Sequence, residues 1–108
     1  MKSAEPILTI LPAKPPSELD NMDQALAKDF AAIPQVKYVL LERVSNSLLV
    51  WIAVDNPTPA VRRRIYDKEL GLISEFRDVD FDFNLIPALG RSPQEIASGV
   101  EVIYSRPD

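Results

Sequence analysis

The spacing of hydrophobic and polar residues predicts a first helix near the start of the chain. Between residues 18 and 32, apolar side chains recur every three or four positions, which is the spacing of one helix face. Ser17 can cap this helix, with Asp20 three residues later as an acidic partner. Pro34 ends it, because proline lacks the backbone N–H that a helix interior needs. The residues expected on the apolar face are Leu19, Met22, Leu26, Phe30 and Ile33.

A β-hairpin is predicted next. Residues 37–44 (KYVLLERV) favour a strand, and Ser-Asn-Ser at 45–47 favours a tight turn, because Asn tolerates left-handed φ angles. Residues 48–54 (LLVWIAV) are apolar throughout, which is typical of a central strand covered on both faces. We therefore expect Trp51 to lie in the core.

A second helix is predicted after the hairpin. Either Asn56 with Pro57 or Thr58 with Pro59 supplies its cap and first-turn proline. Gly71 weakens this helix relative to alanine, so we expect a close packing contact there. The residues expected on its apolar side are Val61, Ile65, Leu72, Ile73 and Phe76.

A third strand is predicted over residues 79–86, within the stretch RDVDFDFNLIP. Asp78, Asp80 and Asp82 alternate there with apolar residues, and alternate side chains of a strand share one face. Gly90 and the segment RSPQEI then predict a loop or a helical turn. VEVIY at 100–104 predicts a last short strand.

The first 16 residues are interpreted as an N-terminal arm or edge strand. EPILTIL at 5–11 can form a short edge strand, and the alternative is an arm exchanged with a second copy. The predicted order is therefore (β)αββαβ(α)β. We expect a single α+β domain over residues 1–108, with a mixed sheet packed against two helices.

The composition removes many kinds of chemistry. The chain has no cysteine and no histidine, which excludes thiolate nucleophiles, Ser-His-Asp triads and metal sites with Cys or His ligands. Its three glycines cannot build a GxGxxG or Walker A phosphate loop. The net charge of −4 argues against a nucleic-acid partner, and no apolar run is long enough to span a membrane. We expect a cytoplasmic protein with no cofactor, although Mg²⁺ held by carboxylates is left open.

The order of elements resembles that of the small nucleotidyltransferase domain, over residues 18–106. The segments that carry the likeness are LVWIAVDN, VRRRIYDKELGLISEF, VDFDFNLI and the tail QEIASGVEVIYSR. The resemblance implies the nucleotidyltransferase fold. It also implies a site in which a Gly-Ser pair grips nucleotide phosphates, paired aspartates hold Mg²⁺, and a third carboxylate comes from the third strand.

The chain departs from that pattern where the family's chemistry resides. The corresponding turn, ERVSNSLLVW, contains no glycine. The positions of the paired aspartates are taken by Asn46 and Leu48 or by Ser47 and Leu49. The third-strand carboxylate persists as Asp80 or Asp82, and one aspartate cannot hold the two metals of such chemistry. The resemblance thus implies a degenerate member without nucleotidyltransferase activity, and no catalytic residue is assigned.

Two groups of residues are candidate sites. Asp80 and Asp82, with Glu42 from the hairpin, form a candidate metal site, since neighbouring carboxylates on one strand face can share a cation. Arg62 and Arg63 are candidate phosphate contacts near the start of the second helix, where the dipole favours anions. The simpler interpretations are a solvated strand face and a solvated helix side. Successive helix residues point about 100° apart, so a run of arginines cannot face one ligand.

Three functions remain open at this point. The first is a non-catalytic interaction module on a nucleotidyltransferase-like scaffold, which acts through a protein partner or through self-association as a homodimer. The second is a divalent-metal or nucleotide binder, or a residual nucleotidyltransferase, that uses Asp80 and Asp82. The third is a ferredoxin-like regulatory domain that binds a ligand. In that fold residues 7–11 are a central strand and the order reads βαββαβ.

Overall fold

The structure is a computed structural model that describes residues 20–107. Its elements are α1 (Asn21–Ala31), β1 (Val36–Val44), β2 (Ser47–Val54), α2 (Pro59–Glu75), β3 (Asp80–Pro87), α3 (Pro93–Ile96) and β4 (Glu101–Ser105). The predicted α+β class and the order of elements from the first helix onward are confirmed. The arm at residues 1–16, the Ser17 cap and the predicted contact of Leu19 lie outside the described residues.

The four strands form one mixed sheet in the order β3-β2-β1-β4. The hairpin β1–β2 and the pair β1–β4 are antiparallel, whereas β2 and β3 are parallel and are joined through α2. Within residues 20–107 the strands pair without a gap, so no interior position is left for a further strand. The ferredoxin-like alternative needs residues 7–11 at such a position, and it is therefore wrong.

The hydrophobic core lies between the sheet and the helices α1 and α2, which cover the same face. Val50, Ile52 and Val54 point toward the helices from the central strand β2, because alternate strand residues share a face. The predicted apolar face of α1 is confirmed for Leu26 and Phe30, which are fully buried. The core also holds Ile33, Val36, Val39, Leu41, Leu48, Val61, Ile65, Leu72 and Ile103.

The opposite face of the sheet is partly covered. Leu40 is fully buried there, and the register places it between Trp51 on β2 and Val102 on β4. Trp51 is half-buried rather than fully enclosed, because it lies on this second face and not against the helices. Residues 88–100 connect the edge strand β3 to the opposite edge strand β4.

Local sequence accounts for where the helices begin. Asp20 caps α1, with its Oδ1 accepting from the backbone N–H of Asp23 at 2.8 Å. Of the two predicted starts for α2, Thr58 is the cap and Pro59 occupies the first turn. The first helix therefore starts later than predicted, since Asp20 directly before the helix satisfies one of its free N–H groups.

Two predictions about α2 are wrong. Ile73 is 45% exposed, because it follows Leu72 by one residue and so points about 100° away from the buried side. Gly71 makes no close packing contact: a methyl group added there would meet nothing within 4 Å. Between residues 20 and 107, no helix combines the length and the hydrophobicity needed to cross a membrane.

The N-terminal end of α1 is held by a cluster of charged groups. Arg43 on β1 lies 3.1 Å from the carboxylate of Asp23 and 3.3 Å from that of Glu101 on β4. Asp20 lies 3.7 Å from the same guanidinium. Burial raises the pKa of Asp23, and the nearby Arg43 offsets part of that rise. This cluster ties α1 to the edge of the sheet formed by β1 and β4.

Candidate functional site

The candidate metal site lies where the parallel strands β2 and β3 begin. In the register of this pair, Ser47 is next to Asp80 and Leu49 is next to Asp82. Because strand residues two apart share a face, all four side chains lie on the face opposite the helices. The hydroxyl of Ser47 donates to Oδ2 of Asp80 at 2.8 Å. The structure therefore brings the β1–β2 turn and the D-x-D strand together at one end of the sheet.

Glu42 does not join this group. It lies on β1 opposite Leu49, and Leu49 in turn lies beside Asp82. Two strand spacings, about 10 Å, therefore separate Glu42 from Asp82. Asp80 and Asp82 are both exposed to solvent. Among residues 20–107 there is no group of three or more acidic side chains placed to hold one metal ion.

The candidate phosphate contacts lie at the other end of the strand pair. The start of α2 follows the end of β2, whereas Asp80 lies at the start of the parallel strand β3. β3 is 8 residues long, so roughly 23 Å separates the two ends. Arg62 and Arg63 therefore cannot share a metal–nucleotide complex with Asp80. The structure does not bring the two predicted groups together.

The arginines of α2 make separate contacts. Nε of Arg62 donates to the carbonyl of Pro57 at 3.2 Å. This hydrogen bond joins the first turn of α2 to the residues that precede the helix. Arg64 donates to the carbonyl of Ala32, after the end of α1, at 3.3 Å. Arg63 is exposed. Two of the three successive arginines thus stabilise the position of α2, and the third faces solvent.

A pocket that sequence analysis missed lies at the carboxyl ends of β2 and β3. Its volume is about 340 Å³. Crevices at the carboxyl ends of parallel strands are common ligand sites in α/β sheets. The lining residues are Val54, Asp55, Asn56, Pro57, Pro87 and Leu89. The signal in the sequence was the acid that directly follows the apolar strand, but its parallel neighbour could not be identified without the fold.

The charge in this pocket is already neutralised. The carboxylate of Asp55 accepts from Nη2 of Arg106 at 2.6 Å, and Arg106 also donates to the carbonyl of Pro34 at 3.0 Å. Asn56 has a φ of 49°, a left-handed conformation that turns the chain from β2 toward α2. Arg106 thus joins the residue after β2 to the segment before β1. Because the carboxylate of Asp55 is paired with Arg106, it offers no unpaired charge to a ligand.

A second feature missed by sequence analysis is an apolar surface on α2. Tyr66, Leu70 and Ile73 are 48%, 64% and 45% exposed, and their spacing places them along one side of the helix. Glu69 lies between this side and the core, and burial raises its pKa to about 7. This surface was not predicted from the sequence, because Ile73 was assigned to the buried side of α2.

Comparison with known proteins finds no matching family model, no matching curated protein and no matching solved structure.

Proposed function

We propose that the protein is a non-catalytic interaction module on a nucleotidyltransferase-like scaffold. The observation that carries this proposal is the register of β2 and β3, in which Ser47 and Leu49 lie beside Asp80 and Asp82. In the family that the sequence resembles, paired aspartates on the second strand work with a carboxylate on the third. Here the third strand keeps its carboxylates, while the second strand offers a hydroxyl and an alkyl group.

The chemistry of these side chains argues against nucleotidyl transfer. Mg²⁺ prefers an octahedral shell of oxygens, and two-metal catalysis needs carboxylates that bridge or flank both ions. The alkyl side chain of Leu49 supplies no oxygen, and Ser47 supplies a neutral hydroxyl in place of a carboxylate. With Glu42 one strand further away, the site lacks the ligands that would hold two cations.

The surface of the molecule favours an interaction role. Tyr66, Leu70 and Ile73 form a row of large apolar side chains in contact with water. Contiguous exposed apolar patches on soluble proteins are typical of surfaces that a partner covers. The same helix carries no side chain from the candidate metal site, so an interaction there does not depend on catalysis.

A transfer assay tests the proposal. We expect the purified protein to transfer no nucleotide from ATP or other nucleoside triphosphates with Mg²⁺ or Mn²⁺. We also expect its melting temperature to stay unchanged on addition of cation and nucleotide, since a ligand stabilises a protein only by binding its folded state. Asp80→Ala and Asp82→Ala should behave like wild type, as should the control Asp67→Ala on the exposed part of α2.

Two outcomes would contradict the proposal in different ways. Transfer that disappears in Asp80→Ala would establish a residual nucleotidyltransferase. A rise in melting temperature with Mg²⁺ and ATP that disappears in the same variant, without transfer, would favour a metal- or nucleotide-binding protein instead. Wild-type behaviour in all variants is the expected result.

Restoring the acids gives a positive test of the scaffold. The double variant Ser47→Asp, Leu49→Asp places two new carboxylates beside Asp80 and Asp82. We expect this variant to be stabilised by Mn²⁺ or Mg²⁺, because the ion relieves repulsion among four neighbouring acids. The neutral variant Ser47→Asn, Leu49→Asn is the matched control. Equal responses of the two variants would contradict the proposed correspondence of strands.

A further inference from the structure

We propose that two copies of this chain associate through the edge of β3 that no strand of residues 20–107 covers and through the adjoining side of α2. The inference rests on the interaction role proposed above and assigns it a surface and a partner, a second copy of the same chain. The carrying observations are the position of β3 at the edge of the sheet, the exposed row on α2, and the order of charges along β3.

The exposed row on α2 points toward the β3 edge and away from α1. Arg64 marks the side that faces α1, because its guanidinium donates to the carbonyl of Ala32. At about 100° per residue, Tyr66 and Ile73 lie roughly opposite Arg64 and to one side of the buried residues. Since α2 connects β2 to β3, this side faces outward beyond the edge strand. A helix arriving along that edge would meet these side chains.

The edge strand itself continues the same apolar surface. Phe81, Phe83 and Leu85 pack against the core from the helix side of β3, yet each is only half-buried. The rings of Phe81 and Phe83 stack with their centroids 5.0 Å apart. Within the described residues β3 pairs only with β2, so its outer edge presents unpaired backbone N–H and C=O groups. An edge of 8 residues is long enough to accept another strand.

The order of charged and apolar side chains along β3 favours one antiparallel register between two copies of the strand. A two-fold axis through Phe83, perpendicular to the sheet, sets the two β3 strands antiparallel. Asp82 of one copy then opposes Asn84 of the other, whose amide can donate to the carboxylate. On the helix side, Phe81 opposes Leu85. Apolar side chains therefore meet apolar ones on the helix side, while on the other face Asp80 opposes Ile86 and no acid faces an acid.

Neighbouring registers are less favourable. An axis through Asp82 would place the two Asp82 carboxylates directly opposite each other, and like charges in that position destabilise a strand pair. An axis through Asn84 would bring Pro87 into the paired region, where it has no N–H to donate. The register centred on Phe83 avoids both problems. It extends the sheet to eight strands and brings the two α2 helices together along Tyr66, Leu70 and Ile73.

Single cysteines give a sharp test, because the natural chain contains none. In the proposed register, residue 82 of one copy lies opposite residue 84 of the other, at the Cα separation of about 5 Å that suits a disulfide. Asp82→Cys and Asn84→Cys should therefore cross-link when mixed under a mild oxidant. Each variant alone should stay uncross-linked, since identical positions are displaced along the strands by two residues and lie roughly 8 Å apart.

Sedimentation and light scattering of the natural chain complete the test. We expect a concentration-dependent dimer, weakened about tenfold or more by Leu70→Asp, which buries a charge in the interface. Val44→Asp, at an exposed apolar position on β1 and two strands away from the β3 edge, is the control and should dimerise normally. Thermal unfolding of both variants verifies that they fold.

The outcomes separate this inference from the proposed function. A chain that stays monomeric at all concentrations overturns the dimer and leaves the non-catalytic role intact. Loss of dimer in Val44→Asp but not in Leu70→Asp overturns the assigned surface. Cross-linking of Asn84→Cys with itself overturns the register. Nucleotidyl transfer that depends on Asp80 overturns the proposed function whatever the oligomeric state.

Discussion

α1 and α2 cover the same face of the sheet, but they are attached to the molecule in different ways. α1 buries Leu26 and Phe30 completely and is tied at its start to β1 and β4 through Arg43. α2 buries an inner side as well, yet leaves Tyr66, Leu70 and Ile73 exposed on another. The apolar contacts of α1 end within this chain, whereas those of α2 extend to a surface that a partner can cover.

The largest difference in stability between the two helices is expected when one aromatic residue on each is replaced by alanine. Phe30→Ala should destabilise the fold by about 3–5 kcal/mol, because Phe30 is fully buried and its ring meets that of Phe83 edge-on at 6.2 Å. Tyr66→Ala, measured on dilute protein, should change stability by less than about 0.5 kcal/mol. Urea unfolding measures both. Similar losses in the two variants would mean that the outer side of α2 is part of the core.

The next largest effect is expected at the anchor of α1. Arg43→Ala leaves the carboxylate of Asp23, whose side chain is 5% exposed, without its partner. We expect a loss of about 1–3 kcal/mol in the free energy of unfolding, the usual cost of leaving a buried polar group unsatisfied. Arg63→Ala removes an exposed arginine from α2 and serves as the control, with no measurable loss. Equal behaviour of the two arginine variants would show that the charged cluster does not hold α1.

A smaller effect, with a distinct pH dependence, is expected at Glu69. Its pKa is raised by burial from 4.5 to about 7, so the folded protein keeps a proton that the unfolded chain releases. Stability should therefore fall as the pH rises from about 4.5 to about 7 and stay lower above that range. Glu69→Gln should remove this loss, and stabilise the protein at pH 8 by about 1 kcal/mol once partial exposure is allowed for.

The control for this prediction is Glu75→Gln, on the exposed end of the same helix. This variant keeps Glu69, so we expect it to show the same fall in stability between about pH 4.5 and about pH 7 as the natural chain. At pH 4 the natural chain and Glu69→Gln should be equally stable, because Glu69 is then protonated in both the folded and unfolded states. A gain in Glu69→Gln that is as large at pH 4 as at pH 8 would contradict titration as its cause.

The two helices also show which structural features could be predicted from the sequence. The apolar spacing of Leu26 and Phe30 identified the inner face of α1, and Thr58-Pro59 was one of two predicted starts for α2. These features are local, since capping and helical periodicity act over a few residues. Ile73 was misplaced because it lies at the margin of the apolar side, where one step of about 100° separates burial from exposure.

The parts of the site that sequence could not predict depend on distant residues. The pairing of Ser47 with Asp80 follows from the parallel register of β2 and β3, which brings together residues 33 positions apart. The ion pair of Asp55 with Arg106 joins residues 51 positions apart. Nothing in the local pattern selects those partners. The alternation of acids in β3 was confirmed as an exposed face, but its neighbours became known only from the fold.

The smallest predicted change in stability is expected on replacing Gly71 of α2. The sequence predicted a close contact there, but the residue faces open space on the exposed part of α2. Gly71→Ala should therefore stabilise the protein by about 0.5–1 kcal/mol, because alanine restricts the unfolded chain and favours the helix. Gly90→Ala is the matched control: Gly90 also has free space around it, but its φ of 71° disfavours a side chain. Thermal unfolding should thus give opposite signs for the two variants, and a loss of stability in Gly71→Ala would mean that α2 is packed there as closely as α1.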